Sequence, residues 1–356
     1  MPTLDFIMQS RLAPRQSLAA DRHFLHVVGR PSRLRVGVLR VYDFRGDIVS
    51  LGRYHLVPDI PAATGVVPLY RRHSGGRVVP FGDGFVGVAL VLPHRSALVS
   101  DDPRALAPSQ VMNRYVRGIL EGCRLVNVPA FYPGRDLVTV DRRVLALVSF
   151  EEDHTGALLF EAIIANRRDF SVLPALLDAV DRGGIIKTEM LTPEGATCLA
   201  RELKTELTTE EVADMVRRGF EKQFNVECEA HTLSALETQA IEATATHDLH
   251  DDRWLRQRRV RPDLDRHAFE RTQLGMFETY FALEQDHFIR DIVFAGDFLA
   301  NSAAIERLER ELRLCPAEWQ AIDAVASDVF AQPDNFILGI GRVRTIADTV
   351  CKALAS

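Results

Sequence analysis

The chain has 356 residues, 47% hydrophobic and 26% charged, with 43 Lys+Arg against 49 Asp+Glu and a formal net charge of −6. That composition is globular, too apolar for disorder, and leaves no cationic footprint for nucleic acid. The longest apolar run, residues 85–92, is far short of the roughly 20 a membrane helix needs, residues 1–10 carry no export pattern, and the five scattered cysteines include no CxxC pair.

The expectation is a cytoplasmic α/β protein with two domains, or one large domain and an appendage. Only four basic residues are lysine (Lys187, Lys204, Lys222 and Lys352), so none precedes position 187. Any step in the first half that needs a neutral amine or a compact ammonium has no side chain to use, because arginine stays protonated and planar.

In chain order, alternation of Leu34, Val36 and Val38 with Arg33, Arg35 and Gly37 predicts a half-buried strand over 34–41, and a second falls at 48–51. After a loop rich in proline and glycine, residues 85–92 read as a buried strand stopped by Pro93. Ser109 is placed to cap a helix with the stripe Met112, Val116, Ile119, Leu120 and Cys123. Residues 136–140 and 144–150 predict a hairpin turning at Asp141-Arg142, followed by a strand over 156–165. Thr208 and Glu211 form a capping box for a helix over 208–224. The charged stretch 247–266 reads as a linker or exposed crossing. Beyond it come a hairpin (276–283 and 288–294) and helices at 302–314, 316–330 and from 345, a small α+β unit.

Residues 71–77 (Arg71-Arg72-His73-Ser74-Gly75-Gly76-Arg77) are the most unusual stretch. Adjacent glycines let backbone N–H groups approach a ligand, and arginines supply forked donors for phosphate or carboxylate. A surface turn with solvated arginines fits the same residues.

The chain resembles the lipoate–protein ligases of the biotin/lipoate ligase superfamily. The resemblance begins at Ser17–Asp21 and passes through Val49-Ser50-Leu51-Gly52-Arg53-Tyr54-His55. It is most specific at residues 71–77, which match the family's RRx(S/T)GG(G/R) loop. Gly134-Arg135-Asp136-Leu137 with Arg142-Arg143-Val144 is similar to its GRND…RKV hairpin, His154–Leu159 to its HHGTLL strand, and Gly296-Asp297-Phe298 to the GDF signature of its accessory domain.

The resemblance implies a mixed-sheet catalytic domain (1–258), a linker (259–269) and an α+β accessory domain (270–356). It implies ATP-dependent activation of lipoate or octanoate and transfer to a lysine of an apo lipoyl domain or lipoate-carrier protein, without nucleic acid or membrane. Arg72, Ser74, Gly75, Gly76 and Arg77 would surround the nucleotide phosphates, and Asp136 would hold the nucleotide with Mg2+. Strands 85–92 and 144–148 would line the acyl slot.

The family's catalytic lysine is replaced by Arg143, which keeps the charge but differs in bulk and fork direction. Leu145-Ala146 stand where the family has Ser-Gly, and His55 where it has glutamine. Two alternatives stay open: an altered homologue that binds without ligation, and an ATP-independent octanoyltransferase, which would need a cysteine near Ala130 where none occurs. Cys123 reads as core, His154 as structural or site residue, Lys187 as a distant substitute ammonium, and His247, His250, Asp251 and Asp252 as a solvated helix end.

Overall fold

The computed structural model describes residues 1–29, 35–57, 67–178, 192–247, 249 and 253–355. β1 (Thr3–Leu12) leads into α1 (Pro14–Val28), whose proline sits in the first turn, where a missing N–H costs nothing. β2 (Gly37–Phe44) and β3 (Ile48–Leu51) follow, then β4 (Leu69–Arg71), β5 (Val79–Phe81) and β6 (Phe85–Leu92). α2 (Val111–Leu125), β7 (Leu137–Val140), β8 (Arg143–Glu152), β9 (Leu158–Ala165), α3 (Leu173–Asp178), α4 (Leu199–Leu203), α5 (Thr209–Phe224), β10 (Glu227–Ala230), α6 (Ala235–His247) and α7 (Arg253–Arg256) complete the first part.

The predicted helix at 208–224 is α5, with the Thr208–Glu211 capping box formed in both directions. Ser109 does not cap α2: it lies inside a 3-10 turn, Pro108–Gln110, and the helix starts after it without a side-chain cap. The β7–β8 hairpin turns at Asp141 and Arg142, both at positive φ, which the right-handed twist of a two-residue turn requires.

A seven-stranded sheet runs β10-β1-β2-β6-β9-β8-β7, with β1 parallel to both neighbours and the remaining pairs antiparallel. α2 and α5 cover one face, where a Cβ on Gly219 would meet Gly118 O at 2.2 Å, so their backbones touch. α1 and α6 cover the other face, burying Ala19, Phe24 and Leu25 over Val38, Ala89, Val91 and Leu159. β3, β4 and β5 form a separate small sheet beside the site.

The C-terminal part consists of an antiparallel sheet of β11 (Arg266–Arg271), β12 (Met276–Glu284) and β13 (Phe288–Gly296), the short pair β14 (Leu299–Ala300) and β15 (Ile337–Leu338), and helices α8 (Ser302–Glu311), α9 (Trp319–Ala331) and α10 (Thr345–Leu354). It has its own core around Phe277, Phe281, Phe294 and Ile305. β11 starts at Arg266, within the stretch read as a connection. No helix among the described residues is long and apolar enough to cross a membrane.

Candidate active site

The register of the large sheet places four residues in one row on the face beneath α1: Arg40 opposite Ala89, Ala89 opposite Glu161, and Glu161 opposite Ser149. Side chains in such a row share a face because strands alternate with period two. Arg40 and Asp21 form a fully buried ion pair, closed by Ser17 on α1. Burial pushes the Asp21 carboxyl up to about 7, against the opposing pull of Arg40 and with a further push from Glu161.

The 71–77 loop lies over this row. Glu161 accepts from the Ser74 amide at 3.2 Å, and the Ser74 and Ser149 hydroxyls meet at 2.7 Å. Arg72 donates to Ser74 Oγ, Ser50 O and Gly75 O, and burial pushes its guanidinium down. Arg77 donates to Asp136 Oδ2 at 2.7 Å, while Asp136 Oδ1 is buried without a hydrogen-bond partner among the described residues. Burial raises the Asp136 carboxyl, with Arg77 opposing.

Arg72, Arg77, Asp136, Ser149 and Glu161 bound the polar side of a cavity of about 40 Å3. Its apolar walls are Leu18, Phe44, Ile48, Val79, Phe81, Leu147 and Ile163. Of the strands expected to line it, β8 does so and β6 does not. β6 is the middle strand of the sheet, and Tyr42 and Phe81 lie over it: a Cβ on Gly87 would meet their rings at 2.6–2.7 Å.

The two leading arginines of the motif part company. Arg71 faces away from the cavity and donates to five backbone carbonyls, those of Gly52, Arg53, His55, Leu255 and Arg258. It is a cross-tie between the loop and the segment around α7, and Trp254 Nε1 returns a bond to Arg71 O. His73 points to Leu18 O, and burial holds its imidazole down at about 4.

The glycines serve close approach. A Cβ on Gly75 would meet Phe298 O at 2.3 Å, and one on Gly52 would meet Gly76 O at 2.1 Å. Gly76, at φ +85°, donates its amide to Phe298 O. The Gly296-Asp297-Phe298 turn therefore fastens the C-terminal part to the loop. Phe298 stacks on Tyr54 at 4.4 Å, and Asp297 Oδ2 accepts from Met276 N. His55 Nε2 lies 3.1 Å from Asp297 Oδ1, but the geometry for a hydrogen bond is met toward Gly76 O at 3.2 Å.

Arg143 is not brought to this cavity. It begins β8, half-buried, and pairs with Glu202 of α4 at 2.9 Å. Leu145 and Ala146 are buried. Cys123 is a core residue whose thiol burial pushes up to about 12, so no reactive thiolate is available there. His154 is exposed on the turn before β9. Lys187, His250, Asp251 and Asp252 lie outside the described residues, and these hold no group of three or more His, Cys, Asp or Glu suited to a metal.

Sequence reasoning missed Asp21, Arg40, Ser149 and Glu161. The available signal was a charge in the interior of each of two largely apolar strands, Arg40 in Gly37–Phe44 (which also carries Asp43 near its end) and Glu161 in Leu158–Ala165, since a buried charge in a strand interior demands a partner.

No family model matches the chain, and no curated protein does so. Solved structures do. P. falciparum LipL1 in complex with lipoate is 13% identical, with a TM-score of 0.69, covering 99% of this chain and 100% of its own. The bipartite lipoate protein ligase of Thermoplasma acidophilum, from a study that includes its E2 lipoyl domain, is 17% identical, with a TM-score of 0.59 over 74% and 100%. Lipoate-protein ligase A bound with ATP is 16% identical, with a TM-score of 0.55 over 71% and 98%. The chain has the fold of the lipoate–protein ligases.

Proposed function

We propose that this protein is an ATP-dependent ligase that converts lipoate or octanoate to its acyl-adenylate and transfers the acyl group to a lysine of an apo lipoyl domain or lipoate-carrier protein. The observation that carries this reading is the cavity itself: apolar walls ending at Arg72, Arg77 and Asp136 beneath the Ser-Gly-Gly loop. Solved proteins of this fold include one bound with ATP and one in complex with lipoate.

In the first step an oxygen of the acid attacks the α-phosphorus and pyrophosphate leaves. Arg72 and Arg77 are the donors available where negative charge builds up, with Ser74 and the Gly75 and Gly76 backbone beside them. In the second step the lysine amine attacks the acyl carbon, AMP leaves, and the amine proton is lost. Asp136 Oδ1 suits a cation, and one carboxylate plus phosphate oxygens and waters satisfies Mg2+. Magnesium bound there would neutralise phosphate charge. We assign catalysis to residues 1–258 in the cytoplasm, joined through 259–269 to an accessory unit, 270–356.

Arg143 is the proposed stand-in for the family's lysine. Its ion pair with Glu202, away from the cavity, favours a second reading: a protein that binds the acid or the acceptor without completing ligation. Mixing the protein with ATP, magnesium, lipoate and an apo lipoyl domain, then weighing the acceptor, separates the two. A lipoyl-sized gain that requires ATP supports the ligase. Transfer from octanoyl-carrier protein without ATP would instead make it an octanoyltransferase, and binding without transfer favours the second reading.

A further inference from the structure

A second cleft, of about 760 Å3, opens on the other side of the 71–77 loop between α1, Ala240 and Thr244 of α6, Trp254 of α7 and the start of α8. The two spaces share elements. Arg72 faces the acyl cavity while His73 and Arg53 face the cleft, and on β8 Ser149 lines the cavity while Glu151 lines the cleft. Two residues along one strand face is roughly 7 Å.

Glu151 is 3% exposed. Its Oε1 accepts from the Ser302 amide and hydroxyl, which caps α8, and its Oε2 has no hydrogen-bond partner among the described residues. Burial pushes the Glu151 carboxyl up to about 7, with Arg53 opposing, and a cation brought to the partnerless oxygen would favour the charged form. Arg53 lies near enough to act on Glu151 electrostatically, yet its guanidinium stacks over Trp254 at 4.9 Å and donates nothing to it.

The walls are mixed in charge: Arg22 and Arg53 line the cleft together with Asp153 and Glu306. Arg253 and Arg256, both exposed, stand at the two ends of α7, on either side of the Trp254 that lines the cleft. A buried acid with arginines beside it and along α7 fits a cationic side chain that has acidic neighbours.

We propose that this cleft receives the acceptor protein, with Glu151 holding the ammonium of its target lysine and Arg53, Arg253 and Arg256 meeting acidic residues around that lysine. This assignment rests on the ligase reading, because that reading supplies a lysine-bearing partner.

Binding tests it independently of turnover. An apo lipoyl domain and its Lys→Gln variant are titrated against the full-length protein and against Glu151→Gln, which keeps an oxygen to cap α8 but removes the charge. The expected result is roughly tenfold or greater preference of the wild-type protein for the lysine form, lost in Glu151→Gln at unchanged Tm. Equal binding of the two domains by the wild-type protein, or an undiminished preference in Glu151→Gln, overturns the assignment. Arg253→Glu with Arg256→Glu should weaken both domains alike, and unchanged binding sinks the role of these two arginines. Pyrophosphate exchange with ATP and lipoate, which involves no acceptor, reports separately on the ligase reading.

Discussion

Gly76 donates its amide to the carbonyl of Phe298 at 2.8 Å, across 222 positions of sequence. The neighbouring Gly75 leaves no room for a Cβ against the same carbonyl. The two glycines that look like a phosphate cradle are, in this structure, the seat of the C-terminal part.

Gly75→Ala should therefore lower stability by roughly 2 kcal/mol or more, since the contact at 2.3 Å is with backbone and cannot be relieved by a rotamer change. Thermal denaturation of the full chain checks this. A Tm within a degree of wild type would show that Phe298 has room to retreat.

Arg72→Lys keeps the charge but not the three donations to Ser74, Ser50 and Gly75. Lipoate-dependent pyrophosphate exchange should fall at least about tenfold while circular dichroism stays native. Normal exchange would remove Arg72 from the phosphate site.

Arg40→Met strands Asp21 as an unpaired buried carboxylate and should cost on the order of 3 to 5 kcal/mol. Arg40→Met with Asp21→Leu should recover most of that loss, because the charges then leave together. Chemical denaturation of the single and double variants measures the recovery, and an additive loss would mean the pair is not coupled.

Glu152, beside Arg95 on β8, has its carboxyl pushed up to about 7 by burial, with Arg95 opposing. The folded state holds this proton more tightly than the unfolded chain, so the contribution to stability is complete below the ordinary glutamate range and is lost as pH rises through 7. Glu152→Gln should flatten the fall in stability between pH 5 and 8 by about 1 to 3 kcal/mol. Parallel curves for the two proteins would count against it.

Arg143→Lys should preserve or raise exchange activity. Because the Arg143–Glu202 pair is partly exposed, the change should alter stability by less than about 1 kcal/mol. Complete loss of exchange would show a dedicated role for the arginine.

Much of the architecture was legible because its signals are local. The Thr208–Glu211 box, the turn at Asp141-Arg142 and the apolar run of β6 each carry their own pattern. β1 and β10 were not legible: they pair in parallel across more than 200 positions, Thr3 with Glu227, and no local repeat announces that. The site divided the same way. Arg72, Ser74, Arg77 and Asp136 stand in recognisable motifs and do converge, whereas Arg40, Glu161 and Ser149 meet only through strand register. Arg71 shows the opposite limit, because sequence cannot tell an arginine that offers its fork to a ligand from one consumed by backbone carbonyls.

The five acceptors of Arg71 also bear on how the protein is made. Three lie at 52–55 and two at 255 and 258, and Gly76 waits for Phe298. A nascent chain that has emerged only to residue 250 has its first motif arginine half-satisfied and its glycine turn unsupported. The loop is therefore completed only once residues 255–298 have emerged, and a chain shorter than that carries the motif without the finished site.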